Sequence, residues 1–434
     1  MDSELKGKKL LVLGGMQISC EIIRKAHEMG IYVIVTDYNE VEKSPGKKIA
    51  DQSFMVSTTD VDSVVDLIKT EYIDGVMVGF SDFLLPYYAK ICDKAELPSY
   101  GTKEQFELFV NKDRYKALCR QFDVPTVEEY DVNLESFDES TQGIEYPVMV
   151  KPADNSGARG ITVCHSKKEL KDALGKARSF SNSGKVLIER YLTGKEATVF
   201  WLFEDGNYYL TAIGNRHMKH NQEGVIPLPV GYTFPASVLP RYHAEVEQNV
   251  KNMLKSVGIQ NGMMFMQCKV EDGTCVVYDI GYRLTGSLEY KILKAACDYD
   301  PLEMMIRFAL TGKMGEKKIA EKVNPEFGKY AFNVSFLAKP GKIAEVSGCE
   351  TILEFPKVID AVIAHYPGEE ITENMKGLLA QIILRVLGTA KNLDDLKETM
   401  LEVQKTAHII SDKGENMILP GLDLSDFDGT VIDL

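Results

Sequence analysis

The stretch VKPADNSGARGITV, residues 150–163, decides how this chain is read. A strand ends in Lys151, a small polar loop carries Ser156, Gly157 and Gly160, and a second strand follows. Glycine lets backbone N–H groups approach a phosphate with no Cβ in the way, and a lysine and a hydroxyl add further donors. Taken alone, the stretch describes an ordinary hairpin tip equally well.

Its neighbours favour the phosphate reading. Lys112 opens a helix upstream, and VLIERYL (186–192) with Gly194-Lys195-Glu196 lies downstream. Isolated lysines are usually solvated surface, but two lysines, a glycine loop, E-x-x-L and G-x-E in this order are hard to obtain by chance. Farther along, NGMMFMQCKV is a strand containing Gln267. VVYDIGYRLTGSLEYK (276–291) is a strand that meets Asp279 at its end, then Gly281 and Arg283. An Asp–Arg pair there is a surface ion pair or part of a metal-phosphate site.

Bulk properties set the limits. At 434 residues the chain suggests about three domains. It is 44% hydrophobic and 26% charged, with a mean hydropathy of −0.14, as expected for a globular protein. A net charge of −14 with only local basic clusters, such as Lys317–Lys318, argues against nucleic acid. No apolar run suits a membrane helix, and the start MDSELKGKKLLVLGG shows no signal peptide, so the expectation is no membrane and a cytoplasmic location. The eight cysteines form no Cys-x-x-Cys pair and read as reduced thiols.

Strands and helices alternate through the first hundred residues: KKLLVLGG, a helix stopped by Gly30, IYVIVTD, a helix capped by Thr59, and GVMVGFSD. The expectation is a parallel sheet with a crevice at its carboxyl edge, faced by Ser81 and Asp82. Asp37 follows Gly14-Gly15, but the G-x-G-x-x-G of a dinucleotide fold is missing, which leaves a dehydrogenase a distant alternative. Capping patterns place helices after Thr102 (T-x-x-Q), Asn111, Ser166 (S-x-x-E) and Asn392. A helix is expected over 241–256. EATVFWLFEDGNYYLTAIGN reads as a hairpin, IGNRHMKH as the loop after it, and YAFNVSFLA and AQIILRVLG as strands of a last α+β module.

Over roughly residues 8–315 the sequence resembles the ATP-grasp family, in its carbamoyl-phosphate synthetase, biotin carboxylase and L-amino-acid ligase branch. KPGKIAEVSGCE looks like the opening of the ligases' last domain. The resemblance implies an α/β and α+β chain: a Rossmann-like pre-ATP-grasp domain (1–110), an ATP-grasp domain (111–315) with a mobile lid subdomain (about 146–192), and a C-terminal α+β module (316–434). It implies that Lys112 and Lys151 contact ATP phosphates, with the loop 153–160 (Ser156, Gly157 and Gly160 within it) as lid. Glu189, Arg190 and Leu192 match the adenine hinge, Glu196 the ribose acid, Gln267 and Asp279 the Mg²⁺ (or Mn²⁺) ligands, and Arg283 the arginine of the family's E-x-N-P-R run.

Two departures stand out: Asp279 replaces a glutamate and Gly281 an asparagine, which weakens one of two metal sites, with Glu289 the nearest spare acid. The implied reaction activates a small carboxylate, an amino acid among the candidates, as an acyl phosphate and joins it to an amine, with Lys151 and Arg283 serving catalysis. Arg216 is the candidate carboxylate clamp, and a homodimer is admitted. The alternatives are a carbamoyl-phosphate-synthetase-like or carboxylating enzyme acting through carboxyphosphate, and a regulatory subunit with a degenerate nucleotide site.

Overall fold

The computed structural model describes residues 4–133, 135–154, 160–219, 227–315 and 318–432. Ser156, Gly157, His220 and Lys317 therefore lie outside the described residues.

Strands β1 (Lys9–Leu13), β2 (Tyr32–Thr36), β3 (Gln52–Phe54) and β4 (Gly75–Met77) form a parallel sheet in the order β3-β2-β1-β4. Leu10 to Leu13 are buried on both faces, which is why that strand reads as an unbroken apolar run. The sequence reading missed β3, whose QSF carries no such run. The third helix is capped by Asp60 rather than Thr59, because the Asp60 carboxylate accepts the Ser63 N–H. Asp37 closes its own turn: it accepts from the Gly15 N–H (2.9 Å) and the Ser44 hydroxyl (2.7 Å), and it pairs with Lys47 (3.1 Å). That leaves it no ribose-binding role and removes the dinucleotide reading.

β5 (Val148–Pro152), β6 (Thr162–Cys164) and β7 (Val186–Arg190) form a small antiparallel sheet, β6-β5-β7, under the helix Lys167–Ser179. Its own core, including Val148, Val150, Leu170, Leu174 and Ile188, is separate from the main one.

β8 (Lys195–Glu204), β9 (Asn207–Lys219), β10 (Leu228–Phe234), β11 (Gly262–Glu271) and β12 (Thr274–Gly281) begin the central sheet. The chain then adds β13 (Tyr330–Leu337), β14 (Gly341–Ser347), β15 (Val358–Ile363), β16 (Glu370–Ile371), β17 (Ile382–Ala390) and β18 (His408–Ser411). The resulting eight-stranded sheet runs β12-β11-β8-β9-β10-β13-β17-β15, so strands of the last segment extend the central sheet; β16-β14-β18 stand apart. The helix expected over 241–256 is two, Leu239–Glu245 and Glu247–Val257, broken at Val246. Arg216 and His217, expected on a loop, lie within β9, because residues 215–219 pair with β10.

Candidate active site

Antiparallel partners point their side chains to one face, so register alone assembles a polar row. Asp279, Gln267 and Thr198 are successive partners across β12, β11 and β8. One step along lie Lys269, Glu196, Arg216, Tyr232 and Asn333 on β11, β8, β9, β10 and β13. The register of β11 and β12 slips between Gln267 and Cys268. This bulge lets Tyr278 and Asp279 both serve the row, whereas strict alternation would separate them.

The helix Lys112–Gln121 brings the lysines. Asn111 caps it, Tyr115 donates to the Tyr278 carbonyl (2.7 Å), and Thr126 to that of Val277 (2.9 Å). The Lys112 ammonium thus stands 3.7 Å from the Asp279 carboxylate. One helical turn on, Lys116 is fully buried between Glu129 (3.0 Å) and Glu189. Lys151 reaches the same Glu189 carboxylate at 2.7 Å. Burial lowers the Lys116 pKa to about 8. Burial, with Lys116 and Lys112 nearby, pushes Lys151 well below the usual lysine range. Each lysine thus has a carboxylate partner, and the three form one compact cluster around Asp279, Glu129 and Glu189. Lys116 was missed in the sequence, although its i, i+4 spacing from Lys112 puts both on one helix face.

The hinge candidates divide. The Glu189 carboxylate holds Lys116 and Lys151, and Arg190 is bound to Glu271 through two nitrogens (2.6 and 3.3 Å). The amides of Arg190, Tyr191 and Thr193 donate to Glu128, Pro147 and Glu271, while that of Leu192 makes no hydrogen bond among the described residues. Gly160, at the end of the lid loop, has φ +77°, and a Cβ there would lie 2.8 Å from Phe180.

The metal candidates fit one hard cation. The Gln267 amide has no partner, and the Thr198 hydroxyl beside it is buried without one, among the described residues. A carboxylate plus an amide oxygen, completed by nucleotide oxygens and water, suits Mg²⁺. Among the described residues no group of three or more His, Cys, Asp or Glu could hold an ion alone. Gly281 has a packing cause: a Cβ there would lie 2.2 Å from the Phe265 ring. That ring carries the Arg283 guanidinium 5.0 Å from its centroid. Glu289, the spare acid, is buried and held by Thr285 and Ser287 (3.1 Å); burial raises its pKa.

The remaining charges are paired. Arg283 forks onto Asp82 (2.7 and 2.6 Å), joining the segment after β4 to this row. Arg216 bonds Glu196, Tyr278 (3.1 Å) and Tyr232 (3.0 Å), and Lys269 takes the other Glu196 oxygen at 3.0 Å. Burial would raise the Glu196 pKa, but Arg216 and Lys269 outweigh it and hold it low. His217 is buried against Thr233 (2.8 Å), and burial lowers its pKa to about 4.

Comparison with known proteins identifies the fold. The family model described as the ATP-grasp domain matches residues 144–288. The 2-oxoglutarate carboxylase small subunit of Hydrogenobacter thermophilus is 24% identical over 401 residues, 87% of this chain and 82% of that one. The biotin carboxylase domain dimer of that carboxylase, solved with MgADP, ADP and bicarbonate, superposes with a TM-score of 0.76 at 21% identity, covering 94% of this chain and 91% of that one. The L-amino acid ligase of Bacillus licheniformis gives a TM-score of 0.74 at 18% identity, over 94% and 99% of the two chains. Carbamoyl phosphate synthase large chain of Clostridium perfringens is 24% identical over 298 residues, and the match spans 65% of this chain but only 27% of that protein. The lysine cluster, the strand pair bearing Gln267 and Asp279 and these likenesses converge on one fold: the chain carries an ATP-grasp domain over residues 144–288.

Proposed function

We propose that the protein is an ATP- and Mg²⁺-dependent, ADP-forming ligase that joins a small carboxylate to an amine. The observation that carries this reading is the approach of Lys112 to Asp279 (3.7 Å) beside the buried Lys116–Glu189–Lys151 cluster. It places cationic donors next to an open carboxylate–amide pair. The labour divides along residues 1–110, 111–315 (with 146–192 as lid) and 316–434.

In this reading Lys112, Lys116 and Lys151 hold the ATP phosphates under the loop 153–160, Ser156, Gly157 and Gly160 included. Glu189, Arg190 and Leu192 form the hinge, with the Leu192 N–H on adenine. Glu196 accepts a ribose hydroxyl on a lone pair left by Arg216 and Lys269. Gln267 and Asp279 would hold Mg²⁺ or Mn²⁺, which when bound neutralises and orients phosphate oxygens. A substrate carboxylate oxygen attacks the γ-phosphorus, the bond to the ADP oxygen breaks, and an acyl phosphate forms. The amine then attacks the acyl carbon, and inorganic phosphate and a proton leave. Lys151 and Arg283 stabilise charge on the transferring group, Asp82 holding the Arg283 fork in position. Arg216 faces the substrate from the neighbouring strand.

No helix of the described residues is long and apolar enough to cross a membrane. All eight cysteines are free thiols. We assign the activity to the cytoplasm, where thiols stay reduced, on small molecules rather than nucleic acid, and in a homodimer like the biotin carboxylase domain dimer.

ADP release across pairs of small acids and amines, with hydroxylamine as trap, tests the proposal. A hydroxamate formed with one acid supports acyl-phosphate chemistry and names the substrate. A carboxylase and a carbamoyl phosphate synthase among the relatives favour a second reading, for which bicarbonate-dependent ADP release without hydroxamate would speak. Tight ATP binding with no release from any pair would sink both and leave a nucleotide-binding subunit.

A further inference from the structure

Arginine buried in an apolar strand is costly unless something offsets its charge. Five arginines among the described residues are partly but not fully shielded from solvent: Arg190, Arg216, Arg283, Arg307 and Arg385. The first four each meet a carboxylate, on Glu271, Glu196, Asp82 and Glu4 respectively. Arg385 meets none among the described residues. It interrupts the apolar run Ile382-Ile383-Leu384-Arg385-Val386-Leu387 of β17, and its one hydrogen bond among the described residues is from Nη1 to the Ser335 hydroxyl at 2.7 Å. Ser335 is its register partner on β13. Asn333, two residues along β13, puts Arg385 on the face that carries Tyr232 and Arg216.

The surroundings leave the Arg385 charge unmatched among the described residues. Burial, with Arg216 adding to it, lowers the Arg385 pKa against the pull of Tyr232 and Glu289. Glu289, the acid on this side, is bound to the Thr285 and Ser287 hydroxyls and forms no ion pair with Arg385. Ser335 donates to Asn333 (3.2 Å), and Asn333 donates to the carbonyl of Ser287, on the loop that leads from Arg283. Arg385 is thus linked through Ser335 and Asn333 to the loop after Arg283, while four of its five N–H donors make no hydrogen bond among the described residues.

We propose that Arg385 binds a non-reacting carboxylate on one of the two ligase substrates, so that this substrate carries a carboxylate besides any group that reacts. The assignment rests on the ligase reading above and specifies its substrate class. A bidentate guanidinium–carboxylate contact accounts for an arginine where lysine would present a single point charge.

The test compares wild type with Arg385→Met, which keeps volume, and Arg385→Lys, which keeps charge but not the fork. With hydroxylamine as amine, succinate, glutarate, aspartate and glutamate are compared with propionate. If the carboxylate belongs to the acid, R385M raises the KM of the two-carboxylate acids about tenfold or more, leaves propionate and the KM for ATP in place, and R385K recovers part of the loss. If it belongs to the amine, the hydroxylamine reaction is unmoved and the KM of glycine or alanine rises relative to ethylamine. Neither KM moving overturns the proposal. Should wild type release no ADP with any pair, the ligase reading fails separately. Melting-temperature shifts with the same acids and amino acids then decide: a shift in wild type that R385M loses supports the site, and no such difference overturns it.

Discussion

The two ends of the polar row solve the problem of buried charge in opposite ways. At the centre of the sheet, Glu196 is shared by Arg216 and Lys269, and Arg283 is matched by Asp82. At the Asp279 end, Lys112, Lys116 and Lys151 crowd around three carboxylates, those of Asp279, Glu129 and Glu189, and Gln267 keeps an unpaired amide among the described residues. A closed pair is stable as it stands, and removing one member strands the other. Where lysines crowd one another despite their carboxylate partners, an anionic ligand relieves the crowding, so these residues should govern binding as well as folding.

The largest expected effect breaks the closed end. Glu196→Gln leaves Arg216 and Lys269 uncompensated and should cost about 3–5 kcal/mol of unfolding free energy in urea melts. A stability change near zero would show that the pairing there is not structural. At the open end, Asp279→Asn should reduce Mg²⁺-dependent turnover about 10²–10³-fold with the urea midpoint unchanged. Normal turnover would remove Asp279 from the metal.

Gly281→Asn probes the boundary between the ends. Its Cβ would meet the Phe265 ring at 2.2 Å, so the single variant should lose about 1–3 kcal/mol. In a Phe265→Ala background the same change should cost much less; an equal cost in both backgrounds would mean that the ring is not the obstacle. The smallest effect concerns pH. Lys116 has its pKa lowered to about 8 in the free protein, and bound phosphates would raise it. Below pH 8 the ammonium is already charged. Above it, ATP binding must take up a proton, so affinity should fall as pH rises through 8. Lys116→Met should bind ATP roughly tenfold more weakly at pH 7 and lose that part of the pH dependence. An identical profile in the variant would assign the titration elsewhere, Lys151 being the neighbour to examine.

Much of this was legible in one dimension. The order Lys112, Lys151, Glu189, Gln267, Asp279, Arg283 follows the chain, and the strands that carry it are apolar runs with clear ends. Capping residues at Thr102, Asn111, Ser166 and Asn392 were read correctly because a cap is a local hydrogen bond, which the structure contains in each case. Other features were not legible. β9 runs on through the polar segment NRHMK because β10 supplies its partners, and a polar strand looks like a loop until that partner is known. Lys116 and Arg385 belong to no motif.

The sequence by itself determined the ATP-grasp domain and the residue types that could touch nucleotide and metal, since those follow from short-range spacing. Only the tertiary structure decided which charges cancel. Glu196 meets Arg216 across two strands, Asp82 meets Arg283 from a segment far away in the chain, and Arg385 meets no carboxylate among the described residues. Charge compensation depends on distance in space and on burial, and both are set by strand register and packing between segments far apart in the chain.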